Sequence, residues 1–365
     1  MKVLVTGSNG FIGKHVCLNL TRQGFDVLPF DVENTDEELK NFISEVDFII
    51  HLAGINRPLA KEEFYSGNTN LTKKIVDYVT SSRRRIPIIM SSSIQAELNN
   101  DYGKSKKMAE DYLFNSGLPV YVYRLNNVFG KWCKPNYNSV IATFCYNIAH
   151  DLDITISSRD NIVTFNYIDD VCDEFIKCLN SGGEGSREIL SLDKQYSCNL
   201  GTIADLLYYF KREVESERHL PLLNNEFEFL LFKTFLDYLS DSNHKLNYAK
   251  DERGSFEELY KNEKWGQISD NVSYPGITKG GHYHSYKKEI FYTVIGNCEI
   301  KQRNIKTNEM VVNVVDGKKP QLVDIKTGYT HQITNIGKIN SHTLMWISEI
   351  YSPDTPDTYK EEVEK

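Results

Sequence analysis

The sequence lacks several features that mark whole classes of protein. It contains no apolar run close to the about 18 residues that a membrane-spanning helix needs, so no transmembrane segment is expected. It has no excess of positive charge, with 42 Lys and Arg against 50 Asp and Glu, and its one tight basic run is at residues 83–85. Binding to nucleic acid or to an anionic membrane surface is therefore not expected.

Signs of disulfide bonding and export are also missing. The seven cysteines are scattered and form no Cys-x-x-Cys pair, which favours reduced, packed thiols in a cytoplasmic protein. Met1 and Lys2 lead directly into an apolar segment. We therefore expect no signal peptide.

Short apolar segments alternate with helical patterns through the first part of the chain. We expect strands at residues 2–6, 26–31, 47–54, 86–90 and 120–124. We expect helices at residues 11–23, 36–44, 69–82, 140–150, 169–180, 200–212 and 226–240. This alternation predicts an α/β domain of the Rossmann type, a doubly wound parallel sheet with helices on both faces.

The pattern changes from about residue 254 to short segments separated by Gly, Pro and Asn turns. Strands are expected at residues 267–272, 289–295, 299–303, 311–315, 321–325 and 343–348. Even spacing of short strands predicts an all-β domain, an antiparallel barrel or jelly roll. The polar segment 241–245 separates the two patterns, so we expect domains at residues 1–245 and 246–365.

A glycine-rich turn follows the first predicted strand. Gly7, Gly10 and Gly13 stand three residues apart, directly before a predicted helix. Such glycines let the backbone approach a pyrophosphate, and the helix N-terminus favours its negative charge. Asp31 ends the next strand, where a carboxylate can bind the ribose hydroxyls of NAD. A tight turn without a ligand is the alternative reading of the glycines.

Tyr102 and Lys106 lie four residues apart, on one face of a predicted helix. An ammonium beside a phenol should lower the phenol pKa and make the tyrosine a proton donor near neutral pH. Three serines, Ser91 to Ser93, end the fourth predicted strand, where a hydroxyl can bind a substrate oxygen. These residues together indicate a nicotinamide-dependent reductase.

With these motifs and the segments at residues 51–54, 123–130 and 166–170, the first part resembles the extended short-chain dehydrogenases, which act mainly on nucleotide sugars. The resemblance implies Tyr102 as acid/base, Lys106 as its partner, Ser93 as the hydroxyl that orients the carbonyl, and Asn127 as a substrate contact. It also implies a set of coenzyme-binding residues: Gly7, Gly10, Phe11, Ile12, Gly13, Asp31, Leu52, Ala53, Gly54, Ser91, Tyr102 and Lys106.

The second part carries Gly276-x5-His282-x-His284-x4-Glu289-x6-Gly296 and Gly328-x2-His331-x3-Asn335. These spacings resemble the two motifs of the cupin family. On a strand, His282 and His284 point to the same side. Three imidazoles and a carboxylate from His282, His284, Glu289 and His331 suit Zn²⁺ or another borderline divalent ion. A cupin that has lost its metal is the alternative.

A second resemblance concerns the same histidine. Residues 251–257 and 279–283 resemble the deoxysugar 3,5-epimerases of the cupin superfamily, which need no metal. That resemblance implies His282 as the base that removes a proton beside a ketone, with Arg253 and Lys279 binding the nucleotide sugar. A metal-bound His282 is not a free base, so the two roles of His282 remain alternatives.

Over nearly its whole length the chain resembles bifunctional capsular-polysaccharide enzymes that join a dehydrogenase to a cupin. The resemblance implies a UDP-2-acetamido-2,6-dideoxy-4-hexulose substrate, C3 epimerisation in the zinc-bearing cupin, then C4 reduction, toward UDP-N-acetyl-L-fucosamine. It also implies a homo-oligomer and NADPH. Asp31 argues for NADH instead, because its charge repels a 2′-phosphate. A reductase with a structural or sugar-binding cupin and a non-catalytic redox or sugar sensor are the alternatives.

Overall fold

The structure, a computed structural model, describes residues 1–186, 188–216, 220–239, 246 and 248–364. The chain divides into two compact units: Met1–Tyr208 with Asn225–Ser240, and Tyr209–Asn224 with Asp241–Lys365. Segment 209–224 thus belongs to the second unit, whereas the sequence placed it in the first domain. The polar segment 241–245, residue 240 and the boundary expected at 245 lie outside the described residues.

The first unit begins with alternating strands and helices. They are β1 (Lys2–Thr6), α1 (Phe11–Arg22), β2 (Asp26–Phe30), α2 (Asp36–Glu45), β3 (Phe48–His51), α3 (Glu62–Phe64), a π-helix (Tyr65–Asn70), α4 (Leu71–Ser81), β4 (Ile88–Ser93), a 3₁₀-helix (Ile94–Glu97), α5 (Asp101–Phe114) and β5 (Val120–Leu125). Each strand predicted from sequence in this part is present, with ends shifted by a few residues.

Among the described residues, eight further strands and helices complete the helical part of the chain. They are β6 (Asn127–Phe129), α6 (Val140–Ala149), β7 (Ile162–Tyr167), α7 (Ile168–Asn180), β8 (Ile189–Leu190), β9 (Tyr196–Asn199), α8 (Leu200–Ser216) and α9 (Glu226–Leu236). Strands β6, β7 and β9 form a small separate sheet. The sequence did not predict these strands, and β6 and β9 have only three and four residues, too few to show a regular alternation of apolar and polar residues.

The main sheet has the strand order β2-β1-β3-β4-β5-β8 and is parallel throughout. Its two faces are both buried. On one face Val3 and Val5 pack with α1 and α7, and on the other Leu4 packs with α2, α4 and α5. The predicted doubly wound Rossmann-type sheet is therefore confirmed. The order reverses between β1 and β3, and ligands bind such sheets at the carboxyl ends of the strands beside this point.

The second unit contains two antiparallel sheets. Its strands are β10 (Tyr248–Asp251), β11 (Gly254–Asn262), β12 (Gly266–Ser273), β13 (Thr278–Tyr283), β14 (Glu289–Ile295), β15 (Asn297–Asn304), β16 (Met310–Asp316), β17 (Val323–Ile325), β18 (Tyr329–Asn335), β19 (Ser341–Ile347) and β20 (Tyr359–Lys360). The sheet orders are β10-β11-β12-β19-β14-β17 and β16-β15-β18-β13-β20. The antiparallel all-β prediction is confirmed, and the cupin barrel stays a prediction.

Buried apolar side chains of both sheets form one core in this second unit. Phe291 and Met345 come from the first sheet, and Ile300 and Ile333 from the second. Strand β13 belongs to the second sheet and β14 to the first, and both sheets contribute to this core. None of the helices in the described part of the chain combines the length and the apolar character needed to cross a membrane.

Candidate functional site

The glycine turn lies at the carboxyl end of β1, beside the reversal of the sheet. Gly7 has φ +69°, and a Cβ there would lie 2.7 Å from the Ala53 nitrogen. A Cβ on Gly13 would lie 2.0 Å from the Gly7 carbonyl oxygen. These positions admit only glycine, and Gly10 precedes the first residue of α1 without a side-chain cap. The turn therefore fits a pyrophosphate against free helical N–H groups.

The predicted ribose ligand contacts this turn. Asp31 follows β2, and its Oδ2 accepts a hydrogen bond from the Asn9 main-chain N–H at 2.7 Å. Its Oδ1 accepts one from the Val32 N–H at 2.9 Å. Phe11 and Ile12 open α1, and Ile12 packs against the core. The structure thus places a carboxylate directly beside the glycine turn.

Tyr102, Lys106 and Ser93 meet at the carboxyl end of β4. Tyr102 lies in the first turn of α5, with its phenol close enough to the Ser93 side chain for that hydroxyl to lower the phenol pKa. Lys106 is buried, and its Nζ donates a hydrogen bond to the Ser91 carbonyl oxygen at 3.0 Å. The same Nζ lies 3.1 Å from where a Gly54 Cβ would stand. The geometry brings the predicted reductase residues and the segment after β3 together.

The pKa values of this pair differ from the sequence expectation. Burial raises the pKa of Tyr102, and the Ser93 hydrogen bond only partly opposes this. Burial lowers the pKa of Lys106 to about 8, against the opposing effect of Glu110. The expectation of a lowered Tyr102 pKa is wrong, because burial of the phenol outweighs the opposing effect of Ser93; the Lys106 ammonium donates to the Ser91 carbonyl instead. With its pKa raised, Tyr102 is a neutral phenol at pH 7.

The choice among the three serines follows from their partners. Ser92 donates a hydrogen bond to Glu110 Oε1 at 2.5 Å, and Glu110 is fully buried against the Arg124 guanidinium, 2.7 Å away. Ser92 is therefore part of a structural ion-pair network, whereas Ser93 Oγ accepts a hydrogen bond from the Gln95 N–H at 3.2 Å and lowers the pKa of the nearby Tyr102 phenol. Sequence reasoning missed Glu110, which stands four residues after Lys106 on α5.

A buried network that the sequence did not predict joins the segment after β3 to α5. The Asn68 side chain, in the π-helix, donates to Ser105 Oγ at 2.9 Å and accepts from the Ile55 N–H at 2.9 Å. His51 bridges Thr6 and Thr72 through its two ring nitrogens, at 2.7 and 2.8 Å. The network fixes the backbone next to Leu52, Ala53 and Gly54. Asn127 is exposed at the start of β6 and contacts none of these groups.

The four predicted metal ligands also come together, inside the second unit. His282 is the last residue but one of β13, and His284 follows that strand. His331 lies in β18, and Glu289 is the first residue of β14. Ligand atoms of the three histidines all lie within 4.8 Å of one another. Glu289 Oε2 lies 3.3 Å from His284 Nε2 and 3.0 Å from His331 Nε2.

The electrostatics of this cluster are those of a buried carboxylate among imidazoles. Burial would raise the pKa of Glu289, but His284 and His331 reverse this and hold it well below its usual range. Burial would lower the pKa of His284, but Glu289 reverses this and raises it. Burial and the neighbouring His331 lower the pKa of His282 to about 4. His282 is thus neutral at pH 7.

Two atoms of the cluster test whether a metal ion fits. Glu289 Oε2 and His284 Nε2 are buried and form no well-aligned hydrogen bond, although Oε2 lies 3.3 Å from His284 Nε2 and 3.0 Å from His331 Nε2. Buried polar atoms are normally paired, and orphaned ligand atoms facing one another are what a metal site requires. Nitrogen and carboxylate donors suit Zn²⁺. The residues present therefore fit a divalent ion held by His282, His284, Glu289 and His331.

The two residues predicted to bind the nucleotide sugar, Arg253 and Lys279, have other partners than this cluster in the described structure. Arg253 is exposed and pairs with Asp251 at 2.6 Å. Lys279 Nζ donates to Val272 O at 2.7 Å and to Asn271 Oδ1 at 3.0 Å. Burial lowers the pKa of Lys279. Among the described residues, neither cation contacts a histidine of the cluster.

Comparison with known proteins identifies relatives for both units. Residues 3–191 match the NAD dependent epimerase/dehydratase family, and residues 249–359 match the polysaccharide biosynthesis C-terminal domain. A Pseudomonas aeruginosa protein named UDP-2-acetamido-2,6-beta-L-arabino-hexul-4-ose reductase is 40% identical over 366 residues, 98% of each chain.

Solved structures agree with these relatives. The crystal structure of the capsular polysaccharide assembling protein CapF from Staphylococcus aureus has a TM-score of 0.91 and 41% identity, and 100% of both chains is covered. A crystal structure of CapF with the inhibitor 3-isopropenyl-tropolone has a TM-score of 0.86 and 37% identity, also over 100% of both chains. These matches confirm the resemblance to capsular-polysaccharide enzymes.

Proposed function

Because the chain belongs to the NAD dependent epimerase/dehydratase family, we propose that its first unit reduces the C4 ketone of a UDP-linked 2-acetamido-2,6-dideoxy-4-hexulose. The relative from Pseudomonas aeruginosa is named a reductase of such a sugar and aligns over 98% of this chain. A nucleotide-sugar reductase or epimerase of polysaccharide biosynthesis is the activity that the relatives support in common.

One observation carries the proposal: the protonated Tyr102 phenol and the Ser93 hydroxyl stand together at the carboxyl end of β4, with Lys106 buried one turn away. Tyr102 donates its proton to the C4 oxygen as that oxygen becomes a hydroxyl. Ser93 orients the carbonyl, and the Lys106 ammonium stabilises the phenolate that remains. The nicotinamide coenzyme, when bound, supplies the hydride to C4.

The coenzyme binds at the glycine turn in this proposal. Gly7, Gly10 and Gly13 leave room for the pyrophosphate, and the N–H groups that begin α1 neutralise part of its charge. Asp31 accepts hydrogen bonds from the ribose hydroxyls. Its negative charge opposes a 2′-phosphate, so NADH is used at least as well as NADPH.

We further propose that the second unit is a cupin that epimerises C3 of the same sugar. The proton at C3 is acidic while C4 is a ketone, so its removal and return on the other face inverts the centre. A divalent ion, when bound, would polarise the C4 carbonyl and stabilise the enolate. The orphaned Glu289 and His284 atoms support such an ion. The tropolone that inhibits the related CapF has two adjacent oxygens, a donor pair that chelates divalent metals.

A metal-free epimerisation with His282 as the base is the second candidate. His282 is the most exposed of the four cluster residues, whereas the other three are buried, and its neutral ring can accept a proton. In either case epimerisation precedes reduction, because reduction removes the ketone that makes the C3 proton acidic. The product is then an intermediate on the route toward UDP-N-acetyl-L-fucosamine, for capsule or O-antigen synthesis, made by a homo-oligomer.

Isotope transfer from the coenzyme tests the reductase proposal. The purified protein is given the keto sugar with NADH or NADPH that carries deuterium at the nicotinamide C4. We expect one deuterium in the product, at C4 of the sugar, seen by NMR and mass spectrometry. Turnover that places no deuterium at C4, or no oxidation of either coenzyme, would contradict the proposal and favour a non-catalytic sensor.

A further inference from the structure

The last described segment of the chain folds back over the strand that carries His282. Strand β20 pairs with β13, with His282 opposite Lys360 and Tyr283 opposite Tyr359. The Tyr283 and Tyr359 rings stack with centroids 5.2 Å apart. We call residues 356–364 the C-terminal strap. Because β20 is at the edge of its sheet, the strap covers the edge next to the metal-ligand cluster.

The Asp357 carboxylate, in this strap, caps the loop that follows His284. Asp357 is 5% exposed and has a left-handed backbone, with φ +39°. Its oxygens accept hydrogen bonds from three consecutive main-chain N–H groups, those of Ser285, Tyr286 and Lys287, each at 3.0 Å. The Ser285 hydroxyl donates to it as well. Four donors to one carboxylate fix both the carboxylate and the loop.

The same residue fixes the imidazole of His284. The main-chain carbonyl oxygen of Asp357 accepts the His284 Nδ1–H at 2.5 Å. The proton of the neutral ring is therefore on Nδ1, and the lone pair is on Nε2, the atom that faces Glu289 at 3.3 Å. This is the tautomer that a metal-binding Nε2 requires, and a hydrogen bond on the other ring nitrogen is the usual means of selecting it.

Neighbouring contacts hold the strap in place on both sides of Asp357. Lys287 is buried, and its Nζ donates to the Pro356 carbonyl oxygen at 2.8 Å. Further along, the buried Arg303 guanidinium donates to the carbonyl oxygens of Glu362 and Val363 at 2.7 and 3.0 Å. The buried Lys287 and Arg303 side chains thus fix the backbone on both sides of the Asp357 carbonyl.

We propose that Asp357 is the positioning residue of the metal site: it holds His284 in the Nδ1–H tautomer with Nε2 directed at the ion. The inference rests on the metal-dependent form of the proposed function. Asp357 does not touch the ion or the sugar, and it acts through His284 alone. The C-terminal strap is accordingly a part of the metal site, 73 residues from His284 in sequence.

A substitution at residue 357 cannot remove its main-chain carbonyl, but it can remove the charge of the side chain. Asn has nearly the same shape, but an NH₂ group replaces one of the two accepting oxygens of Asp357. This NH₂ is itself a donor, so the main-chain N–H of the loop that it faces loses its acceptor. The loop and the Asp357 carbonyl must then shift, and the His284 ring with them. Mutating an outer residue that orients a metal ligand costs about 10–100-fold in metal affinity.

The experiment measures zinc affinity of the full-length protein by competition with a chromophoric chelator. We expect Asp357→Asn to bind zinc about 10–100-fold more weakly than wild type, and Asp357→Glu to recover part of the loss by restoring the charge. Asp354→Asn, which removes an exposed carboxylate from the same segment, should bind as wild type does. Wild-type affinity in Asp357→Asn would overturn the inference and leave the metal proposal intact, whereas a wild-type protein that binds no zinc would overturn both.

A measurement on unsubstituted protein covers the case in which Asp357→Asn does not fold. Long-range ¹H–¹⁵N NMR of the metal-free protein reports which ring nitrogen carries the proton, with the His284 signal assigned from its loss in His284→Gln. We expect the Nδ1–H tautomer, and zinc should then shift the Nε2 resonance. A His284 ring in the Nε2–H tautomer would overturn the inference.

Discussion

The Lys106 ammonium donates to the Ser91 carbonyl oxygen at 3.0 Å and is not directed at the Tyr102 phenol four residues before it. The carbonyl holds the cation at the carboxyl end of β4, beside Gly54 and the glycine turn. In the proposed reaction, Lys106 stabilises the phenolate that forms during reduction. It does not generate a phenolate in the resting protein.

Tyr102→Phe tests the proton donor. The phenol oxygen is lost while the ring and its packing against Phe64 are kept, so the reductase rate should fall at least about 10²-fold, the scale of general acid catalysis. Proton exchange at C3 of the sugar should continue at the wild-type rate, because that chemistry is in the other unit. Equal loss of both activities would contradict the assignment to two sites.

The pH profile of reduction tests Lys106. With the pKa of Lys106 lowered to about 8, the ammonium is charged below that pH and neutral above it, so kcat/KM of the reductase should fall as pH rises through about 8. Lys106→Arg keeps its charge throughout this range, and the fall near pH 8 should be absent in it even if the rate is lower. A flat wild-type profile from pH 6 to pH 10 would exclude Lys106 as the titrating group.

Asp31→Ala tests coenzyme choice. Asp31 lies beside the glycine turn through its hydrogen bond with the Asn9 N–H, so the substitution removes both a ribose ligand and a charge that repels the 2′-phosphate. The ratio of kcat/KM for NADPH to that for NADH should rise by at least tenfold, about 1.4 kcal/mol of differential binding. A wild-type enzyme strongly selective for NADPH would contradict this account of Asp31.

His284→Ala tests the role of the metal ion in epimerisation. The substitution removes one ligand and leaves Glu289 with one imidazole fewer, so zinc content should fall to near zero and deuterium uptake at C3 should stop. Reduction of a keto sugar that already has the product configuration at C3 should be unchanged. If C3 exchange continues at the full rate, His282 is the base instead, and His282→Ala alone should stop the exchange.

Sequence predicted the sites whose residues lie close together in the chain, or follow fixed spacings. The glycine turn, the Tyr102 and Lys106 pair and the histidine cluster all belong to this group, and the structure brings the members of each together. The prediction that the Tyr102 pKa is lowered was wrong. The spacing shows that Tyr102 and Lys106 share one face of a helix, but it does not show that Lys106 donates to a carbonyl oxygen of β4.

Residues that act through distant backbone could not be predicted. Asp357 reaches His284 across 73 residues, and an aspartate in a polar, proline-containing segment gives no sign of this in one sequence. Glu110, on α5, is buried with its charge paired to Arg124 on β5. Short strands such as β6 and β9 form because β7 pairs with both, and their own residues carry little strand signal.

The central claim is that one chain carries two separable reactions on one sugar, epimerisation first. The direct measurement is incubation of the wild-type protein with the 4-keto sugar in D₂O without nicotinamide, followed by addition of NADH or NADPH and NMR of the product. We predict deuterium at C3 before any coenzyme is added, and a reduced product that retains this deuterium with inverted configuration. Reduction that proceeds with hydrogen at C3 and unchanged configuration would contradict the account and leave a reductase whose second unit does no chemistry.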